Sequence, residues 1–170
     1  MSTYFITKTD LQNIVGFSKH APDSDILHII LNTQNLVLLP FLREAFYTEL
    51  ILQVKNDTIT NENELLLYGD TNGVFLGIRH WLAYQVYANY ILQSKQKSTN
   101  TGMREYEDNT SQALEAKREK ALIIHYEQNA DYYKKQVQNF LIKNIADYPL
   151  YENDCIKKES NNFGIYISKV

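Results

Sequence analysis

The chain has 170 residues, of which 44% are hydrophobic, and a formal net charge of -3. This length and apolar content predict one domain with its own hydrophobic core. The slightly acidic balance argues against a general nucleic-acid binder, because contact with phosphates requires a clear excess of Lys and Arg.

Targeting signals and cysteine pairing are not expected. No stretch reaches the roughly 18 uninterrupted apolar residues of a membrane span, and the N-terminal sequence lacks the basic and apolar regions of a secretory signal. Cys155 is the single cysteine, which excludes an intramolecular disulfide and a cysteine-based metal cluster. We therefore expect a chain that is made in a reducing cytosol and is not inserted in a membrane.

Helix signals begin near the N-terminus. Thr7 is a suitable N-cap with Asp10 three residues later, close to a capping box, and Gly16 can end this first helix. A second helix is predicted to begin near Pro22 and to continue to Pro40, whose ring kinks or breaks it. Pro40 is also well placed as the first residue of a further helical segment.

The centre of the chain carries the most apolar pattern. A polar loop with one short helical turn, ENELLLY, precedes the segment VFLGIRHWLAYQVYANYILQSK, which is apolar on nearly all sides. Such a profile predicts a helix buried on several faces, at the centre of a bundle. Val74 and Trp81 lie on one of its predicted apolar stripes.

A very long helix is predicted after a polar excursion. From Ser111 to Ile145 the sequence contains no Pro or Gly, and at 1.5 Å per residue this helix would be about 50 Å long. A compact bundle of this size has a radius of gyration near 15 Å, so we expect part of the helix to project or to lie against another subunit. Pro149 is predicted to end it, and residues 149–170 are predicted to form an extended tail.

Two segments are predicted to be extended and to pair with partners. STNTGMREYEDNTSQ, which begins at Ser98, predicts a β-like arm over about residues 98–110. In the tail, FGIYISKV alternates with a period of two, which indicates a short strand that has to pair with another strand. The candidate partner-binding residues are Thr99, Asn100, Thr101, Gly102, Met103, Arg104 and Tyr106 in the arm, and Phe163, Ile165, Tyr166 and Ile167 in the tail. The predicted fold is therefore all-α: a helical bundle over residues 1–148, with one long C-terminal helix, the arm and the tail.

Residue types that carry chemistry do not cluster in the sequence. The four His form no H-E-x-x-H motif, and none lies three or four residues from another His or Cys. The glycines fit neither a phosphate-binding P-loop nor a dinucleotide fingerprint. We therefore expect no metal site, no cofactor and no catalytic residue, and hence no enzyme.

One spacing resembles an enzyme motif. Arg118 and His125 lie seven residues apart, on one helix face and about 10 Å apart along its axis. This is similar to the Arg/His spacing of the HEPN ribonucleases, which are helical and in which both residues act on RNA phosphate at a dimer groove. RNA cleavage is therefore the alternative function. The simpler interpretation is a solvated Arg and a partly buried His, since Glu119 is ill suited to approach phosphate.

The order of elements carries a second resemblance. Two short N-terminal helices and a kinked segment lead to WLAYQVYANYILQS, then to the Thr- and Gly-containing excursion, and then to the long helix with aromatic and Lys positions. This order, with the local pattern W-x-x-Y-x-x-Y…TNTG, resembles the head–tail connector (adaptor) proteins of bacteriophages, in particular those of crAss-like phages that infect Bacteroides. The resemblance covers roughly residues 1–148.

The resemblance implies a structural virion protein without catalysis. Such proteins form a homo-oligomeric ring, commonly of about twelve copies, below the portal, where they extend the DNA channel, seal packaged DNA and join the capsid to the tail. The implied partners are the portal protein and the adjacent neck or tail ring; DNA passes through the lumen without sequence-specific binding, and no membrane is involved. The protein would be made in the host cytoplasm and located in the virion neck. Deleting residues 99–107 should then spare the fold but weaken assembly.

Overall fold

The computed structural model describes residues 3–94, 96–99, 102–105 and 116–151, and within these ranges the chain is mostly helical, which confirms the all-α prediction. The helices are α1 (Lys8–Val15), α2 (Asp23–Thr33), a π-helical segment (Gln34–Leu38), α3 (Leu39–Leu42), α4 (Glu44–Asn56), α5 (Asn61–Tyr68), α6 (Gly77–Ser94) and α7 (Ala116–Lys143). Strands β1 (Gln96–Thr99) and β2 (Gly102–Glu105) lie between α6 and α7, and a 3-10 turn (Ile145–Asp147) follows α7.

The predicted start and end of α1 are confirmed. The Asp10 N–H donates to Thr7 Oγ1 at 3.2 Å, and the Thr7 N–H donates to Asp10 Oδ2 at 2.8 Å. This reciprocal capping box satisfies two backbone donors that the first helical turn leaves free. Gly16 ends the helix in the left-handed conformation, with φ 69°. The local signals therefore decide both ends of this helix.

The break predicted at Pro40 lies instead at Arg43. The π-helical segment precedes α3, Pro40 occupies the first turn of α3, and the chain leaves the helical conformation at Arg43, with φ 68° and ψ 159°. A proline in a helix lacks the N–H of an i to i-4 hydrogen bond, and its ring crowds the carbonyl four residues earlier. The wider π turn changes the bonding pattern at this place, so the chain stays helical through Pro40.

Helix α6 lies at the centre of the bundle, as predicted, and α1, α2, α5 and α7 pack against it. Its buried residues include Trp81, which is 1% exposed. Val74 was assigned to the same apolar stripe, and this was wrong, because Val74 precedes α6 and is 79% exposed. The carboxylate of Asp70 accepts hydrogen bonds from the backbone N–H groups of Val74 and Phe75 and holds this stretch as a turn.

Helix α7 has 28 residues and is about 42 Å long; the first residues of the predicted long helix, 111–115, lie outside the described ranges. Its end was predicted at Pro149 and lies at Lys143. Residues 149–151 are again helical, which corrects the prediction of extended chain for these three residues. The reason is that proline is favoured in the first turn of a helix and that Tyr151 packs into the core, with 5% of its surface exposed. The rest of the predicted tail lies outside the described residues.

The two strands form an antiparallel hairpin in the region of the predicted arm. Gln96 pairs with Glu105, and Thr99 pairs with Gly102, so that the strands run side by side over four residues each. The hairpin starts two residues before the predicted boundary at Ser98. It follows α6 directly and therefore extends from the end of the central helix.

One helical stretch meets a length and composition test for a membrane span. The continuous helical run Asp23–Leu42 is long and apolar enough to cross a bilayer by these two criteria alone. The core helix of a water-soluble protein meets the same criteria, and Ile26 and Ile30 of this run are fully buried within the protein.

Candidate functional site

An open cleft with a volume of about 620 Å³ lies between the π-helical segment, α3, α6, α7 and the residues that follow α7. Ligand-binding clefts in proteins commonly have volumes of about 300–1,000 Å³. The cleft is lined by Leu36, Val37, Pro40, Phe41, Arg43, Gln85, Lys134, Gln138 and Tyr151. This lining combines apolar and aromatic side chains with two cations and two amides, and it contains no carboxylate.

Arg43 forms one wall of the cleft and has a strained backbone. A positive φ is uncommon for residues other than Gly and is costly unless the surrounding structure enforces it. At Arg43 this conformation ends α3 and turns the chain directly into α4, whose N-cap is Arg43 itself. The Nε atom of Arg43 is shielded from solvent and has no hydrogen-bond partner within the described part of the chain. A shielded donor without an acceptor is unfavourable, which adds to the cost of the backbone conformation at this residue.

Lys134 supplies the second cation, from α7. Its Nζ atom lies 5.8 Å from the centre of the Trp81 ring, within the range of a cation–π interaction. The Trp81 ring in turn meets the edge of Phe41, with 4.7 Å between the ring centres. The described residues form the ion pairs Lys8–Asp23 and Arg79–Asp10, among others, and neither pair involves Arg43 or Lys134. Within those residues, Arg43 and Lys134 therefore face the cleft without a carboxylate partner.

A tyrosine seam between α6 and α7 holds the wall that carries Lys134. Tyr84 stacks on Tyr133 with ring centres 5.2 Å apart, and Tyr87 meets the edge of Tyr126 at 4.5 Å. Burial raises the pKa of Tyr126 and Tyr133, and the neighbouring tyrosines of α6 raise it further. These phenols therefore remain protonated at neutral pH. Their stacked and edge-on contacts fix α7 against α6, so the seam positions the cleft wall.

His80 lies beside this seam. Its Nδ1 atom is 3.0 Å from the carbonyl oxygen of Leu76, and its ring lies 5.7 Å from that of Tyr133. Burial lowers the pKa of His80, and the hydrogen bond to Leu76 opposes this shift without cancelling it. His80 is therefore a neutral packing residue at physiological pH.

The residues of the alternative ribonuclease prediction are exposed. Arg118 and His125 both lie on the solvent side of α7, so the expectation of a partly buried His125 was wrong. The Nε2 atom of His125 is 3.2 Å from the side-chain amide nitrogen of Asn129, its neighbour one turn later. Over the ranges that the structure describes, no three His, Cys, Asp or Glu side chains converge as metal ligands.

Some of the predicted partner-binding residues lie on the described hairpin strands, and the others lie outside the described ranges. Thr99, Gly102, Met103 and Arg104 lie on the hairpin strands. The other arm and tail residues lie outside the described ranges: Asn100, Thr101, Tyr106, Phe163, Ile165, Tyr166 and Ile167.

The sequence does not predict the cleft, because its walls come from segments far apart in sequence and because no local pattern indicates the positive φ of Arg43.

Comparison with known proteins identifies one family. Residues 38–161 match the model of DUF6712, a family of unknown function. The matched region contains the hairpin, both cations of the cleft and residues 152–161, and it excludes the predicted strand of the tail. No curated protein and no solved structure matches the chain. Because the match covers well over half of the sequence, the chain belongs to the DUF6712 family.

Proposed function

We propose that this protein is a structural virion component, a head–tail connector that forms a ring below the portal and joins the capsid to the tail. The observation that carries the proposal is the β-hairpin inserted between α6 and α7. It stands where the resemblance to connector proteins expects an arm that reaches a neighbouring subunit or ring.

The hairpin has the properties of a pairing element. Each of its strands has one hydrogen-bonded neighbour within the described chain, so one edge of each strand keeps backbone N–H and C=O groups available. A hairpin of two short strands is only marginally stable by itself. An added strand from a neighbouring molecule would complete the sheet by β-augmentation, with backbone hydrogen bonds as the source of affinity.

The outer surface of α7 offers further contact area. Ile124 and Ile142 are 42% and 58% exposed, and at 3.6 residues per turn their separation of 18 residues places them on one face. Tyr132, between them, is also 58% exposed. Single exposed apolar residues are common, but this arrangement suits the head-to-tail interface of a cyclic assembly.

The remaining parts of the proposal follow from the connector role. The ring would contain about twelve copies, dock on the portal protein and on the adjacent neck or tail ring, and be located in the virion after synthesis in the host cytoplasm. A chain with a net charge of -3 would let DNA slide through the lumen, since excess negative charge disfavours retention of phosphates.

The hairpin provides the sharpest test of this role. Deletion of residues 99–107 is expected to preserve helical content and thermal unfolding, measured by circular dichroism, and to weaken co-sedimentation with the portal ring. Met103→Pro removes one backbone donor from β2 and disrupts the strand. It should therefore also reduce co-sedimentation with the portal ring.

Ser98→Thr is the matched control, because Ser98 pairs with Met103 across the hairpin and threonine keeps the backbone donor and a high strand preference. It should bind the portal ring as the unaltered protein does. If the deletion variant and Met103→Pro both bind the portal ring with unchanged affinity, the hairpin is not the assembly element.

A further inference from the structure

We propose that the cleft between α3, α6 and α7 is a docking site for an acidic segment, and that its occupant is Glu152–Asp154 of the same chain. This proposal does not depend on the connector role. It follows from the charge of the cleft, from the place where the chain leaves the described structure, and from the sequence that comes next.

The lining of the cleft favours a negatively charged or acceptor-rich occupant. Arg43 and Lys134 contribute two positive charges to the lining, no carboxylate lies in that lining, and the amides of Gln85 and Gln138 add further donors. Carboxylates that accept from Arg and Lys form the stronger, charge-assisted type of hydrogen bond.

The last described residue of the chain, Tyr151, lies at the cleft, and an acidic segment follows it in the sequence. Tyr151 is itself a lining residue, and its ring is fixed by Phe41 and Phe46, with ring centres 6.2 and 6.4 Å away. Each further residue spans at most about 3.5 Å. The chain from Tyr151 to Asp154 can therefore span at most about 10 Å.

The sequence of that segment fits the lining. The residues that follow Tyr151 are Glu-Asn-Asp-Cys, which supply two carboxylates and one amide over three positions. The two negative charges match the two positive charges of the cleft. Because the segment is tethered at the cleft, its effective concentration reaches the millimolar range, so modest contacts suffice for occupancy.

The native cysteine makes the proposal directly testable. Cys155 is the single cysteine of the chain and immediately follows Asp154. In the full-length protein, Gln138→Cys places a second thiol on the cleft wall. Under mild oxidation this variant is expected to form an intramolecular disulfide, measured as a monomer with the mass of two fewer hydrogens and faster mobility on a non-reducing gel.

Gln128→Cys is the matched control, because it lies on the exposed side of the same helix, about 15 Å further along the axis, and outside the cleft. It should form the disulfide about tenfold more slowly. Adding Lys134→Glu to Gln138→Cys should slow disulfide formation by about tenfold, the effect of losing one charge-assisted hydrogen bond, and Lys134→Arg should retain the rate. Asp154→Lys in the Lys134→Glu background should restore it.

Three results would overturn the proposal. The first is an equal rate for Gln138→Cys and Gln128→Cys. The second is a rate for Gln138→Cys that does not respond to the charge of residue 134, with thermal unfolding unchanged. The third is a product consisting mainly of disulfide-linked dimers, which would assign the cleft to a segment of a second copy.

Discussion

The guanidinium of Arg79 in α6 donates a hydrogen bond of 2.9 Å to Oδ1 of Asp10 in α1, across 69 residues of sequence. The other carboxylate oxygen of Asp10 accepts from the backbone N–H and the hydroxyl of Thr7. Arg79 also lies over the ring of Tyr68, 4.3 Å from its centre. One carboxylate thus completes the capping box of α1 and attaches that helix to the central helix of the bundle.

Replacing Asp10 should therefore remove a local and a tertiary interaction together. Asp10→Ala is expected to lower the free energy of unfolding by about 2–3 kcal/mol, from the lost cap and the lost partly buried ion pair. Urea denaturation followed by circular dichroism measures this change.

Asp23→Ala is the control for this prediction, because it removes the Lys8–Asp23 ion pair, in which the Asp23 side chain is 76% exposed. Exposed ion pairs contribute less than about 1 kcal/mol. If Asp10→Ala and Asp23→Ala lower the free energy of unfolding by the same amount, Asp10 does not link α1 to α6.

The close approach of α5 and α6 depends on glycine at position 77. The φ of Gly77 is 71°, and a Cβ atom there would lie 2.6 Å from the backbone nitrogen of Gly69 and 2.7 Å from the carbonyl oxygen of Leu67. Since these contacts are to backbone atoms, no side chain can move to relieve them. We expect Gly77→Ala to destabilise the fold by more than about 3 kcal/mol, measured by denaturant unfolding.

Gly16→Ala separates the effect of backbone conformation from that of the clash. Gly16 also has a positive φ, of 69°, but a Cβ atom there meets no other atom within 4 Å. Its substitution should cost only about 1–2 kcal/mol, the penalty of the left-handed conformation. A Gly77→Ala variant no less stable than Gly16→Ala would disprove the close packing at the start of α6.

His80 should make the stability depend on pH. Burial lowers its pKa in the folded protein, whereas the unfolded chain has a pKa near 6.5. The unfolded state therefore binds more protons below this value, so the stability contributed by neutral His80 is present above about pH 6.5 and is lost as the pH falls toward the folded pKa.

His80→Gln should remove this component of the pH dependence between about pH 6.5 and the lower folded pKa, as followed by thermal unfolding at a series of pH values. If the thermal stability of His80→Gln depends on pH in the same way as that of the unaltered protein, His80 does not contribute this pH dependence.

Local signals were sufficient to predict several elements. The cap at Thr7, the stop at Gly16 and the short helix at ENELLLY depend on residues within one or two turns of each other, and the structure confirms them. The central position of α6 also followed from its sequence, because a helix that is apolar on all sides has to be covered on all sides.

The features that shape the cleft could not be predicted in this way. The π-helical segment and the left-handed turn at Arg43 arise because the tertiary packing of α3 and α4 outweighs the local preferences at Pro40 and Arg43. Tyr151 was assigned to a tail, and its burial against Phe41 and Phe46 depends on contacts across more than 100 residues. The helix and strand periodicities of a sequence depend on residues a few positions apart and therefore do not predict such contacts.

The connector role is tested most directly by the mass of the assembly that the protein forms. Size-exclusion chromatography with light scattering, applied to the protein alone at increasing concentration and to its mixture with the portal protein, measures this mass. We expect a complex with about twelve copies on each portal ring, the number that the connector resemblance implies, in a closed cyclic arrangement. A protein that remains monomeric at high concentration, and also in the presence of the portal, would contradict it.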